Sequence, residues 1–138
     1  MKIAMTGTSG NMGKEALKQV LELSSVELVR VLLTNKKKNN KLSKKLAKEY
    51  GSRIEIIRGT VADKELCREL VAGVDYVVHM AAVIPPASDA CPAASWECNY
   101  LGAKALVDAI KESNPQPKYI HISIMALYGN RNEKHPFG

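Results

Sequence analysis

Short apolar runs alternate with amphipathic stretches along this chain, and the alternation predicts its elements. Strand one is Lys2 to Met5, and an amphipathic helix, Lys14 to Leu23, comes after a glycine-rich loop. Strand two, Glu27 to Leu33, is an almost continuous apolar run in Val29, Val31, Leu32 and Leu33. Such runs fit a parallel strand buried on both faces. A lysine- and asparagine-rich loop, Thr34 to Asn40, leads to helix two, Lys41 to Tyr50, with Leu42 and Leu46 on one face and Gly51 stopping it. Strand three is Arg53 to Arg58. Asp63 is placed as the N-cap of helix three, Lys64 to Ala72, which Gly73 ends. Strand four is Asp75 to Met80. Pro85, Pro86 and Pro92 make Ala81 to Pro92 a loop, and helix four runs from Ala94 to Glu112. Pro115 and Pro117 break the chain before strand five, Tyr119 to Ser123, and the tail from Tyr128 to Gly138 has no periodic pattern. Five strands alternating with four helices predict an α/β fold with a doubly wound parallel sheet. Right-handed crossovers predict the strand order 3-2-1-4-5.

The loop between strand one and helix one carries the chemistry. Met5-Thr6-Gly7-Thr8-Ser9-Gly10-Asn11-Met12-Gly13 spaces three glycines as G-x-x-G-x-x-G. The first takes a tight turn, the second lets backbone approach a pyrophosphate, and the third lets helix and strand pack closely. The helix N-terminus then offers free N–H groups and a positive dipole end to an anion. The strand before and the helix after are the context that makes the triad a Rossmann-type dinucleotide loop.

Composition narrows the picture only slightly. A chain of 138 residues is one domain with room for a core. No apolar run is long enough to span a membrane, and the first residues read as strand and loop rather than a signal peptide. Cys67, Cys91 and Cys98 fit neither a metal spacing nor a paired framework, so thiols in a reducing cytoplasm are expected and no metal site. Much of the formal charge of +6 sits in Lys36, Lys37, Lys38, Lys41, Lys44, Lys45 and Lys48. Aromatic residues make up 5% of the chain and none is interleaved with the lysines, which argues against nucleic acid as the partner.

Four motifs in order resemble the extended short-chain dehydrogenase/reductase family of NAD(P)-dependent epimerases and dehydratases. They are Thr6-Gly7-Thr8-Ser9-Gly10-Asn11-Met12-Gly13, the stretch Gly73 to Ala82 ending His79-Met80-Ala81-Ala82, Asn99-Tyr100-Leu101-Gly102 on helix four, and Ser123 to Gly129 after strand five. The resemblance implies one NAD(P)-binding domain over residues 1–138. The cofactor would lie across the C-terminal ends of the strands, and the chemistry would be reversible hydride transfer at a sugar carbon. It implies cofactor contacts from Gly7, Thr8, Ser9, Gly10, Asn11, Met12 and Gly13. It also implies them from Thr60 and Val61 at the adenine, from Met80, Ala81 and Ala82 against ribose and phosphates, and from Asn99, which steadies the active-site end of helix four.

The chain also departs from the family. Catalysis there uses Tyr-x-x-x-Lys on the helix after strand five, and the sequence stops at Gly138 before that helix and before the substrate domain. Tyr100 and Lys104 have the spacing but sit on helix four, where we read Tyr100 as packing and Lys104 as exposed. The family's catalytic hydroxyl position holds Ile124. Ser123 is the remaining candidate, although a one-residue shift at a strand end turns a side chain to the other face. His79 reads as a satisfied core histidine. The 138 residues alone are therefore expected to bind cofactor without turnover, and the alternative is a non-catalytic NADP(H)-binding or sensor module. No carboxylate follows strand two to grip a ribose 2′-hydroxyl, so NADP is favoured over NAD, with Asn35 and Lys36 as contacts; a solvated loop without selectivity is the alternative. Strand five, left as an open edge, is expected to self-associate.

Overall fold

Side chains along the first strand point alternately to two helical layers, and this decides how the molecule is packed. The structure is a computed structural model that describes residues 1–124. In β1 (Lys2–Thr6), Ile3 and Met5 face one layer and Ala4 the other. In β2 (Leu28–Leu33), Val29, Val31 and Leu33 join the first layer and Leu32 the second. The period of two in a strand is the reason. The first layer is closed by Leu17 and Leu21 of α1 (Asn11–Glu22) and Leu46 of α2 (Lys37–Tyr50). The second is closed by Cys67, Leu70 and Val71 of α3 (Lys64–Val71), with Leu106 and Ala109 of a later helix. Helices thus cover both faces.

With β3 (Ile54–Arg58), β4 (Tyr76–His79) and β5 (Lys118–His121) the sheet has five strands, all parallel, in the order β3-β2-β1-β4-β5. That is the fold and the strand order the sequence predicts. Asp63 caps α3 as predicted: its Oδ1 accepts from the backbone N–H of Glu65 (3.0 Å) and Leu66 (3.2 Å). The guanidinium of Arg30 donates to the carbonyls of Glu69, Leu70 and Ala72 at the other end of α3, and to Glu55 Oε2 at 2.7 Å.

Several boundaries move. The predicted loop Thr34 to Asn40 is half helix, because α2 starts at Lys37 rather than Lys41. The cause is Asn39, which is 1% exposed: its Nδ2 donates to Thr34 O (3.0 Å) and Thr34 Oγ1 (2.8 Å) and folds the turn under the helix. The predicted loop Ala81 to Pro92 contains a short α4 (Ala87–Ala90). Helix four of the sequence reading is α5 (Pro92–Ser95), a π-helical segment (Trp96–Gly102) and α6 (Ala103–Glu112) in succession. Tyr100 is not packed inside: it is 50% exposed and stacks on Trp96, with ring centroids 4.3 Å apart. Lys104 is exposed and pairs with Asp108 at 2.6 Å. Among the described residues no helix is long and apolar enough to cross a membrane, and no three His, Cys, Asp or Glu side chains converge on a metal position.

Candidate functional site

A cavity of about 310 Å³ opens at the C-terminal ends of β1, β2 and β4. Its floor is the glycine loop. Gly7 has φ +76°, and a Cβ there would lie 2.6 Å from Met80 C and Ala81 N. A Cβ at Gly13 would overlap Gly7 O, so α1 sits directly on the loop. Gly10 differs: the nearest atom to a Cβ there is Gly7 O at 3.4 Å, which leaves its face open to a ligand. Gly7, Ser9 and Gly10 line the cavity together with Thr34, Lys36, Lys38, Thr60, Val61, Met80, Ala81, Ala82, Val83 and Cys98.

The other predicted contacts fall elsewhere. Thr8 is fully buried beneath the loop, and its hydroxyl has no partner among the described residues. Asn11, Met12 and Gly13 form the first turn of α1 without lining the cavity, and Met12 is 75% exposed. Asn35 is exposed and lines nothing; Lys38 stands on the cavity wall instead, because the early start of α2 carries it there. Lys38, Thr34, Thr6 and Cys98 line the cavity but were not among the cofactor contacts expected from the sequence. An earlier helix start would have shown Lys38 and Thr34, whereas nothing local points to Cys98. Burial raises the Cys98 thiol above its ordinary pKa, and raises Cys67 to about 11, so neither is a thiolate nucleophile near neutral pH.

Thr6 ties β1 to the turn after β4. Its Oγ1 accepts from the backbone N–H of Met80 (3.3 Å) and Ala81 (3.2 Å), which leaves its own proton to donate to His79 Nδ1 at 2.7 Å. His79 is then the neutral tautomer with hydrogen on Nε2. That N–H is buried and has no partner among the described residues, so within them one of the two ring nitrogens of His79 is hydrogen-bonded. Burial first, and His121 second, lower its pKa to about 4.

Asn99 lies outside the first cavity and lines a second one of about 290 Å³, with His79, His121, Ser123 and Ile124. Its side chain accepts from Val83 N–H (2.7 Å) and donates to Val83 O (2.9 Å), fastening the turn after β4 to the π-helical segment. Ser123 and Ile124 both face this cavity. The expected reversal between neighbours fails because β5 ends at His121 and the chain beyond it no longer follows a strand. The remainder of the fourth motif, from residue 125, and the tail lie outside the described residues.

The open face at Gly10 and the two lysines on the cavity wall suit an anionic dinucleotide. Comparison with known proteins gives the family and the fold. The chain is 22% identical over 130 residues to D-erythronate dehydrogenase of Haemophilus influenzae, covering 94% of this chain and 39% of that one. A dTDP-glucose 4,6-dehydratase double mutant from Streptomyces venezuelae, solved with NAD bound, superposes with a TM-score of 0.81 at 24% identity, covering all of this chain and 45% of that one. UDP-glucose-4-epimerase of Stenotrophomonas maltophila, also with NAD, gives 0.76 at 20% identity, covering 96% and 40%. At such identities the structures share the fold, and the chain spans about two fifths of the length of these relatives. The model of the NAD dependent epimerase/dehydratase family matches from residue 3 to residue 138, and the chain belongs to that family.

Proposed function

We propose that this chain is the nucleotide-binding part of a nicotinamide-dependent oxidoreductase acting on a hydroxyl or carbonyl group of a sugar or sugar derivative, with NADP(H) favoured over NAD(H). The observation that carries the reading is the cavity at the C-terminal strand ends, floored by Gly7 and Gly10 and walled by Met80, Ala81 and Ala82. The substrate class is supported by the relatives, which are named for D-erythronate, dTDP-glucose and UDP-glucose. The bound cofactor would accept or return a hydride at its nicotinamide ring. The chain's own residues supply position and polarity. Gly7 to Gly10 and the N-terminus of α1 hold the pyrophosphate, as helix N-termini hold anions. Thr60 and Val61 border the adenine. Small side chains at Ala81 and Ala82 leave room for ribose, and Asn99 keeps their turn in place through Val83. Ser123, in the adjoining cavity, is the hydroxyl offered to the substrate oxygen. Calorimetry of the 138-residue chain with NADPH and NADH tests this: saturable binding of one molecule per chain is expected, and no heat with either would overturn it.

One observation favours a second reading. Ile124, an apolar side chain, stands beside Ser123 in the cavity, where the family resemblance calls for a hydroxyl. A module that binds NADP(H) without chemistry accounts for it. Self-association is a further part of the proposal: Ile120 of β5, the edge strand among the described residues, and Ile122 just beyond it are 45% and 43% exposed.

A further inference from the structure

Resting on the dinucleotide reading above, we propose that the outward lysine face of α2 is a capture surface, which steers the anionic dinucleotide towards the cavity and sets how fast it associates. This face lies outside the cavity, and its pull acts on NAD(H) and NADP(H) alike. Lys37, Lys41, Lys44 and Lys48 follow the spacing i, i+4, i+7, i+11, so they fall on one line along α2, with Lys45 beside it. Asn39 and Leu46, on the opposite side of the helix, are its buried residues. All five lysines are exposed, and none of them lines the cavity.

The other helices balance their charges. α1 carries Lys14 and Lys18 with Glu15 and Glu22. On the opposite layer Arg68 pairs with Glu65 and with Glu112 (2.8 Å), and Lys104 with Asp108 (2.6 Å). In α2 no carboxylate precedes Glu49, and none of its lysines forms an ion pair among the described residues. The pattern works against the helix itself. Lys37 and Lys41, Lys41 and Lys45, and Lys44 and Lys48 are like charges four positions apart, and lysine in the first turn opposes the helix dipole. The buried side holds α2 in place, so the charge serves no pairing within the described fold. The position of the helix says what it serves. α2 begins at the cavity, where Lys36 and Lys38 line the wall, and the line of lysines runs on from there over about 16 Å of helix. Charge of one sign beside a cleft concentrates a ligand of the other sign and raises its rate of encounter. Lysine ammoniums are strongly hydrated point charges, suited to acting at a distance through solvent.

The experiment is stopped-flow mixing of the full 138-residue chain with NADH and with NADPH, read by nicotinamide emission over a series of salt concentrations. Lys41→Gln, Lys44→Gln, Lys45→Gln and Lys48→Gln together are expected to lower the association rate constant about threefold to tenfold at about 10 mM ionic strength, where screening reaches about 30 Å. The dissociation rate constant is expected to stay unchanged, and the difference in association to close by about 0.5 M salt. Glutamine matches lysine in helix propensity, so the thermal midpoint should not fall. Lys64→Gln, Lys104→Gln and Lys111→Gln, on the opposite layer, separate the position of the charge from the net charge, and should leave association within about twofold. Association unchanged in the α2 variant, or lowered equally in the opposite-layer variant, overturns the steering and leaves dinucleotide binding standing. So does a weaker affinity carried by dissociation alone. Failure of the parent chain to bind either dinucleotide overturns both.

Discussion

At the scale of single residues, the three glycines of the loop do different work, and substitution separates them. A Cβ at Gly7 or Gly13 meets backbone atoms that cannot move aside. Gly7→Ala and Gly13→Ala should each cost about 2–4 kcal/mol, read as a lowered thermal midpoint. Gly10→Ala meets only one atom, at the edge of contact, and should leave the midpoint within a few degrees. It should nevertheless weaken NADPH binding in calorimetry by about tenfold or more, because the methyl takes the space a phosphate needs. His79 supports a pH prediction. Its folded pKa is about 4, below an unfolded value near 6.5, so between the two the unfolded chain binds the proton that the folded chain refuses. The His79 contribution is complete above about pH 6.5 and falls away as pH drops towards 4, by on the order of 3 kcal/mol. Urea titrations across that range should show the slope, and His79→Asn, which keeps an acceptor for Thr6 without titrating, should flatten it. The glycine spacing and the histidine were legible in the sequence. The tautomer was not, since it depends on Thr6, 73 positions away, occupying Nδ1.

At the scale of elements, α3 is held at both ends by side chains. Asp63 satisfies two of its first N–H groups, and Arg30 its last carbonyls. Asp63→Ala should cost about 1 kcal/mol in chemical unfolding, as N-cap losses do, with cofactor affinity unchanged because Asp63 does not line the cavity. A change in affinity without loss of stability would instead place Asp63 at the ligand. The cap was readable from Asp63 standing just before an amphipathic run. The start of α2 was not, because Lys37, Lys38, Asn39 and Asn40 look like loop residues until Asn39 turns inward to Thr34. The same error hid Lys38. Tyr100 was misread because helix four passes through a π-helical segment, which rotates its side chains away from the positions that a regular 3.6-residue repeat predicts.

At the scale of the whole molecule, five strands and two helical layers place every loop of the first cavity at one end of the sheet, as open α/β sheets do. The opposite consequence appears at β5, which pairs only with β4 among the described strands and leaves Ile120 and Ile122 exposed. Sedimentation of the chain over a concentration series should show reversible association, and Ile120→Lys with Ile122→Lys should return it to a monomer. A single monomeric species at high concentration would remove the proposal. The amino-acid sequence by itself determined the strand order, the glycine loop and the family, because apolar period, glycine spacing and turn residues act over a few neighbours. Only the tertiary structure decided which side chains share a cavity. Lys38, Thr34 and Cys98 meet the glycine loop across 24 positions or more, Thr6 chooses the tautomer of His79, and Ile124 stands beside Ser123 because β5 has already ended. Those are contacts between distant segments, and no local pattern of residues encodes them.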